Sequence, residues 1–212
     1  MNEEHLGGCV IGGDIGTWAP QVWDKLISLY TVKSCVDVGC GAGHSLKYFI
    51  DKNIEGLGIE GYKPAIENSK IREFITEHDY TKGPYIPSKI YDLAWCCEFV
   101  EHVEEQYSTN FMETFKRCKI VAITHGVPGQ AGFHHVNCQL PEYWIDKFQK
   151  FGFFYEKDIT LQLRDLLATH RICNGVYVNE TGEYGKFDND IDPYTPHGGH
   201  IKNTLMVFKN ND

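Results

Sequence analysis

No Cys-x-x-Cys pair occurs among the eight cysteines, and the chain has no basic run, internal repeat or low-complexity tract. No stretch is long and apolar enough to cross a bilayer. The opening "MNEEHLGG" lacks the basic-then-apolar pattern of a secretory signal, so a cytoplasmic location is the expectation. Cys35 and Cys96 lie in strand-like runs and are expected as small buried hydrophobes, and the adjacent Cys96–Cys97 pair as reduced and partly buried. Lys and Arg number 20 against 29 acidic residues, a formal net charge of −9. Nucleic-acid binding draws its affinity from cationic side chains on phosphates, so large polyanionic partners are disfavoured.

The 212 residues, 42% hydrophobic and 23% charged, suffice for one domain with a full core. "GGCVIGGDIGTWAPQVW" reads as a glycine-rich loop or hairpin entering a helix at Pro20, so residues 1–31 form a lid or cap segment. "KSCVDVGC", "IEGLGIEGY", "YDLAWCC" and "CKIVAITHGV" read as strands. They alternate with helices over "GHSLKYFIDKN", "KPAIENSKIREFI", the segment after Cys97, and "LPEYWIDKFQKFGF". That alternation predicts an α/β fold with right-handed crossovers and a mostly parallel sheet. "NTLMVFKN" reads as a final strand, preceded by a polar insertion over 175–200.

"VDVGCGAGHS" places Asp37, Gly39, Gly41 and Gly43 at the first strand-to-helix turn, where glycine lets the backbone approach a ligand closely. A dinucleotide fingerprint needs G-x-G-x-x-G, but His44 stands at its last position. The spacing is G-x-G-x-G after an acidic residue. On these residues the chain resembles the class I S-adenosylmethionine-dependent methyltransferases, over roughly residues 32–157 plus the last strand. The resemblance implies a Rossmann-like, mostly parallel seven-stranded sheet with helices on both faces. It also implies S-adenosylmethionine as cofactor, with the glycine turn beside its methionine part. Glu60, ending the second strand, would hold the ribose hydroxyls and Asp79 in "EHDYTKG" would lie near the adenine. Read without a ligand, Asp37 is a turn cap and Glu60 a solvated strand end.

"CCEFVEHVEEQY" sets Glu98, Glu101 and His102 at i, i+3 and i+4, on one face if the segment is helical. Carboxyl ends of such strands are where ligands bind, and "GFHHVN" brings His134 and His135 from the next loop. Two carboxylates with imidazoles suit Mg²⁺ or Mn²⁺. The alternative is an acidic wet face, to which Glu104 and Glu105 contribute. The pattern resembles two metal-using branches, the small-RNA 2′-O-methyltransferases and the quinone-biosynthesis O-methyltransferases. By that resemblance Glu98, Glu101, His102 and one of His134 or His135 are metal ligands. Glu98 is also a candidate cofactor contact, and His102, His134 or His135 a general base with or without metal.

The expected activity is therefore O-methyl transfer to a hydroxyl of a sugar or glycan, assisted by a divalent cation. The layout of "HLGG…GGDIGTW" and "FHHVN…EYW" resembles methyltransferase domains associated with glycan synthesis. Alternatives are RNA 2′-O-methylation, metal-free O-methylation of a small molecule, and a non-catalytic cofactor-binding partner. Trp18 is the lid candidate and Trp144 a core residue, while His197 and His200 belong to a surface turn that can approach the site.

Overall fold

Ser34–Val38 (β1) is buried at every position, as expected of a strand covered on both faces. The computed structural model describes residues 5–167 and 198–211 and, between them, the backbone of 171–173, 176–178 and 184–185. Pro20–Tyr30 (α1) precedes β1, and His44–Asp51 (α2), Glu55–Glu60 (β2), Lys63–Asn68 (α3) and Ile75–Glu77 (β3) follow. Then come Tyr91–Cys96 (β4), Ser108–Phe115 (α4), Cys118–Ile123 (β5), Pro141–Lys150 (α5), Phe153–Tyr155 (β6) and Lys157–Asp165 (α6). Arg171–Cys173 (β7), Val176–Val178 (β8) and Tyr184–Gly185 (β9) form a small antiparallel sheet. Gly199–Thr204 (α7) and Met206–Asn210 (β10) complete the order.

The main sheet has seven strands in the order β3-β2-β1-β4-β5-β10-β6. Its neighbours are parallel except β10, which runs antiparallel to both β5 and β6. This is the Rossmann-like class I methyltransferase fold. Alternation along the strands divides the core in two. Ala94, Cys96, Val121, Ile123, Met206 and Phe208 meet α4 and α5 through Phe111, Phe115, Trp144 and Phe148. Leu93, Trp95, Ile120, Ala122 and Val207 meet α1, α2 and α6 through Trp23, Leu26, Phe49 and Leu163. Cys35, Cys96 and Trp144 are buried as their patterns predict. No helix among the described residues is long and apolar enough to cross a membrane.

Two expected helices are shorter than their patterns. The second ends at Asn68 because Ser69 turns extended, donates its hydroxyl to Ala42 O and accepts from Ile71 N. Ile71 thereby occupies the space that a side chain on Gly43 would need, instead of continuing the helix. The segment after β4 is also broken. It runs as 3₁₀ turns at Val100–His102 and Glu105–Tyr107 before α4 begins. Most of the expected insertion, including His197, lies outside the described residues.

Candidate active site

The glycine turn is tied to the strand beside it. Gly39 N and Cys40 N both donate to Ile59 O, and Gly41 N donates to Glu60 Oε2 at 2.7 Å. Glu60 Oε1 accepts from Tyr62 N at 2.7 Å, so its carboxylate is fixed by the backbone on both sides, and each oxygen keeps a second lone pair. Burial raises the Glu60 pKa, against these hydrogen bonds. Gly39 has φ +70°, and a Cβ there would meet Phe99. The bare turn therefore keeps the aromatic ring in place behind it.

Asp37, 1% exposed, accepts from Ser45 Oγ. Burial, opposed by that hydrogen bond and reinforced by the Glu60 charge, pushes its pKa up to about 7. The unfolded value is near 3.9, so between those values the native chain holds a proton that the unfolded chain has released. Stability from the neutral carboxyl is present below pH ~4 and lost as pH rises to about 7. In urea unfolding, the difference between wild type and Asp37→Asn should carry this slope, with a total near ~4 kcal/mol. A difference that does not change with pH would contradict it.

A cavity of about 540 Å³ opens over the carboxyl ends of β1, β2 and β4. Asp37, Gly39, Gly41, Glu60, Asp79 and Glu98 line it, but Gly43 does not. Gly43 is instead the left-handed residue that starts α2, packed against Ile71 and Ile75. The N-terminal segment, from His5 to Trp18, forms one wall. His5 Nε2 pairs with Asp79 Oδ2 at 3.0 Å, His44 Nε2 meets Ile11 O at 3.0 Å, and Asp14 faces His200. Trp18 packs edge-on against Trp23 and Tyr48 as part of that wall.

Glu98 breaks the expected helical spacing. It has φ +51°, a left-handed conformation rare outside glycine, and Thr124 holds it there. Glu98 N donates to Thr124 Oγ1 at 2.7 Å, and that hydroxyl donates back to Glu98 Oε1 at 2.8 Å. The other carboxylate oxygen faces His200 Nδ1 at 3.2 Å. Glu98 thus stands beside Glu101 without joining its cluster.

Among the described residues, Glu101, His102 and His135 come together, with one ligand atom of each within 4.8 Å of the others. The backbone explains why His135 is the one. Val136 N and Asn137 N both donate to Glu101 O at 3.0 Å, which draws the loop against the turn. His102 and His135 then stand edge to face, centroids 4.9 Å apart. His134, φ +47°, instead sets its Nε2 3.4 Å from Glu104 Oε1, and it does not line the cavity. Of the two histidines, His135 is the one that this geometry groups with Glu101 and His102.

Glu101 is 0% exposed and neither carboxylate oxygen has a hydrogen-bond partner; His102 Nδ1 has none either. Burial, then the charge of Glu98, raises Glu101 well above the ordinary carboxylate value. Burial, then His135, lowers His102 to about 4. Unpartnered buried carboxylate oxygens are costly, and facing two imidazoles they make a donor set that a divalent cation satisfies. His5, Asp14, Thr124 and the placement of His200 carry no local sequence signal beyond the "GGDIGTW" loop. Their proximity is tertiary.

Sheet order and glycine turn together are those of the class I methyltransferase fold. Residues 36–126, from β1 past the end of β5, match the family described as Methyltransferase domain. The match spans 91 of the 212 residues, and that segment is similar to methyltransferase domains. No curated protein is matched by the sequence. Among solved structures, the methyltransferase domain of bacterial CtHen1-C is 17% identical, with a TM-score of 0.57 over 94% of this chain and 100% of that one. A TehB-like S-adenosylmethionine-dependent methyltransferase from Corynebacterium glutamicum is 14% identical, with a TM-score of 0.56 over 94% and 90%. The [4+2]-cyclase SpnF is 15% identical, with a TM-score of 0.53 over 96% and 88%. At these identities the likeness is one of fold, and the presence of a cyclase among them shows that fold alone leaves the acceptor chemistry open.

Proposed function

We propose that this protein methylates a hydroxyl of a sugar or glycan, with a divalent cation held by Glu101, His102 and His135. The observation that carries the reading is the buried Glu101 carboxylate, without a hydrogen-bond partner and facing two imidazoles beside the cofactor cavity. Acidic lining, with no Lys or Arg among the described lining residues, supports a neutral acceptor over RNA. Phe133, 52% exposed on the same rim, offers an aromatic face to a sugar ring.

S-adenosylmethionine supplies a sulfonium methyl group, and the protein must hold the acceptor oxygen in line with it. A divalent cation, when bound, lowers the pKa of a coordinated hydroxyl. The chain's own residues supply the rest. His102, with its pKa near 4, is a neutral imidazole at physiological pH, the form that ligates. His135 Nδ1 lies 3.3 Å from Gln130 O and 3.6 Å from Cys138 Sγ, which directs its Nε2 lone pair elsewhere. Glu60 would orient the nucleoside and the glycine turn the methionyl part, with the N-terminal segment as one wall of the cavity.

Methyl transfer to a vicinal-diol sugar should stop in excess chelator and return with Mn²⁺. Full activity in excess chelator would remove the metal from the mechanism. Salt-sensitive binding of short RNA at low ionic strength would turn the acceptor assignment toward nucleic acid.

A further inference from the structure

Five carboxylates line the cavity, from Asp14, Asp37, Glu60, Asp79 and Glu98, while no Lys or Arg does so among the described residues. Such a lining suits the sulfonium and ammonium of S-adenosylmethionine but repels the carboxylate of its methionyl tail. A cation in this wall would offset that repulsion.

Histidines are the available cations, and most are engaged elsewhere. His5 sits on Asp79, His44 on Ile11 O and His78 on Gly83 O, while His102 and His135 face Glu101. His200 remains. Its Nδ1 lies 3.2 Å from Glu98 Oε2, and its Nε2 lies 3.6 Å from Asp14 Oδ2. The second distance is an ion pair but too long for a hydrogen bond, so Nε2–H addresses a carboxylate without being bonded to it. Burial opposes a charge on His200, but Asp14 and Glu98 outweigh it and raise its pKa. Gly16 leaves the ring its room, since a Cβ there would lie 2.8 Å from Nε2.

Sheet order puts His200 at the correct end. Glu60 ends β2 and Asp79 follows β3, on one side of β1, whereas Glu98 and His200 adjoin the end of β4, on its other side. A cofactor whose ribose meets Glu60 crosses β1 and lays its amino-acid tail toward β4. We propose that His200 recognises the carboxylate of that tail through Nε2–H, making it a cofactor-binding residue supplied from α7, where the insertion ends. The proposal rests on the assignment of S-adenosylmethionine to this cavity.

The test compares two ligands by calorimetry on the full chain. S-adenosylhomocysteine carries the carboxylate; S-adenosyl-3-thiopropylamine lacks it but keeps the ammonium, thioether and nucleoside. Wild type should prefer the first by about 10- to 100-fold, the range for a charge-assisted hydrogen bond. His200→Gln should bring the preference within about threefold while leaving the affinity for the amine unchanged. A merely structural role would weaken both ligands together, and that result overturns the proposal. So does a wild type that binds the two equally, a measurement that needs no variant. His200→Asn provides a second test should the Gln variant unfold. Failure of wild type to bind either ligand would instead sink the cofactor assignment itself.

Discussion

Glu101→Gln is expected to cut Mn²⁺ affinity at least ~100-fold while S-adenosylhomocysteine binds as it does to wild type. The same change should stabilise the metal-free protein. Glu101 is fully buried, its carboxylate oxygens lack hydrogen bonds, and Glu98 lies beside it. Its folded pKa is raised, so stability from the protonated form is lost as pH rises above the unfolded value near ~4.3. The amide carries no charge to desolvate. Wild type and variant should therefore match near pH 4 and diverge at pH 8, the variant ahead by on the order of 1–3 kcal/mol. Titration with Mn²⁺ should reverse the order, because only wild type is stabilised by the ion. Unchanged Mn²⁺ affinity in the variant would dissociate Glu101 from any metal role.

Gly39→Ala is expected to destabilise the fold by about 2–5 kcal/mol and to abolish cofactor binding. Two costs add. The residue sits at φ +70°, and its new Cβ would lie 2.7 Å from Phe99 Cβ. Phe99 cannot yield easily, since it packs edge-on against both Tyr80 and Phe111. Gly129→Ala serves as the control. It has φ +83° but nothing within 4 Å, so it bears the backbone cost without the collision. Chemical denaturation should place it about 1–2 kcal/mol below wild type. Equal losses for the two variants would show that Phe99 gives way and the turn tolerates a side chain.

Features encoded locally were the ones legible in the sequence. Glycine spacing marks the turn, an acidic residue ends β2, and apolar runs mark β1, β4 and β5. Short β3 and β6 and helix α6 went unannounced, since three-residue strands carry no usable alternation. The site is not legible where one distant group overrides a local pattern. Thr124 holds Glu98 in a left-handed conformation, which no helical count anticipates. The Glu101 carbonyl, accepting from Val136 and Asn137, selects His135 over His134. His200 reaches Glu98 across about a hundred positions of chain, a proximity that only the folded α7 creates.

The antiparallel β10 constrains the order in which this chain can assemble. β6 has one neighbour in the main sheet, and that neighbour is β10, which begins some fifty residues later at Met206. A ribosome that has made β1 through β6 has therefore produced five strands able to pair and a sixth that cannot. Until Val207 and Phe208 arrive, β5 presents a bare edge and the nascent polypeptide exposes the aromatic surface of Phe148, which Phe208 later covers at 3.9 Å between ring centroids. Completion of the sheet is a late event, so chaperone dependence during synthesis should concentrate in that interval.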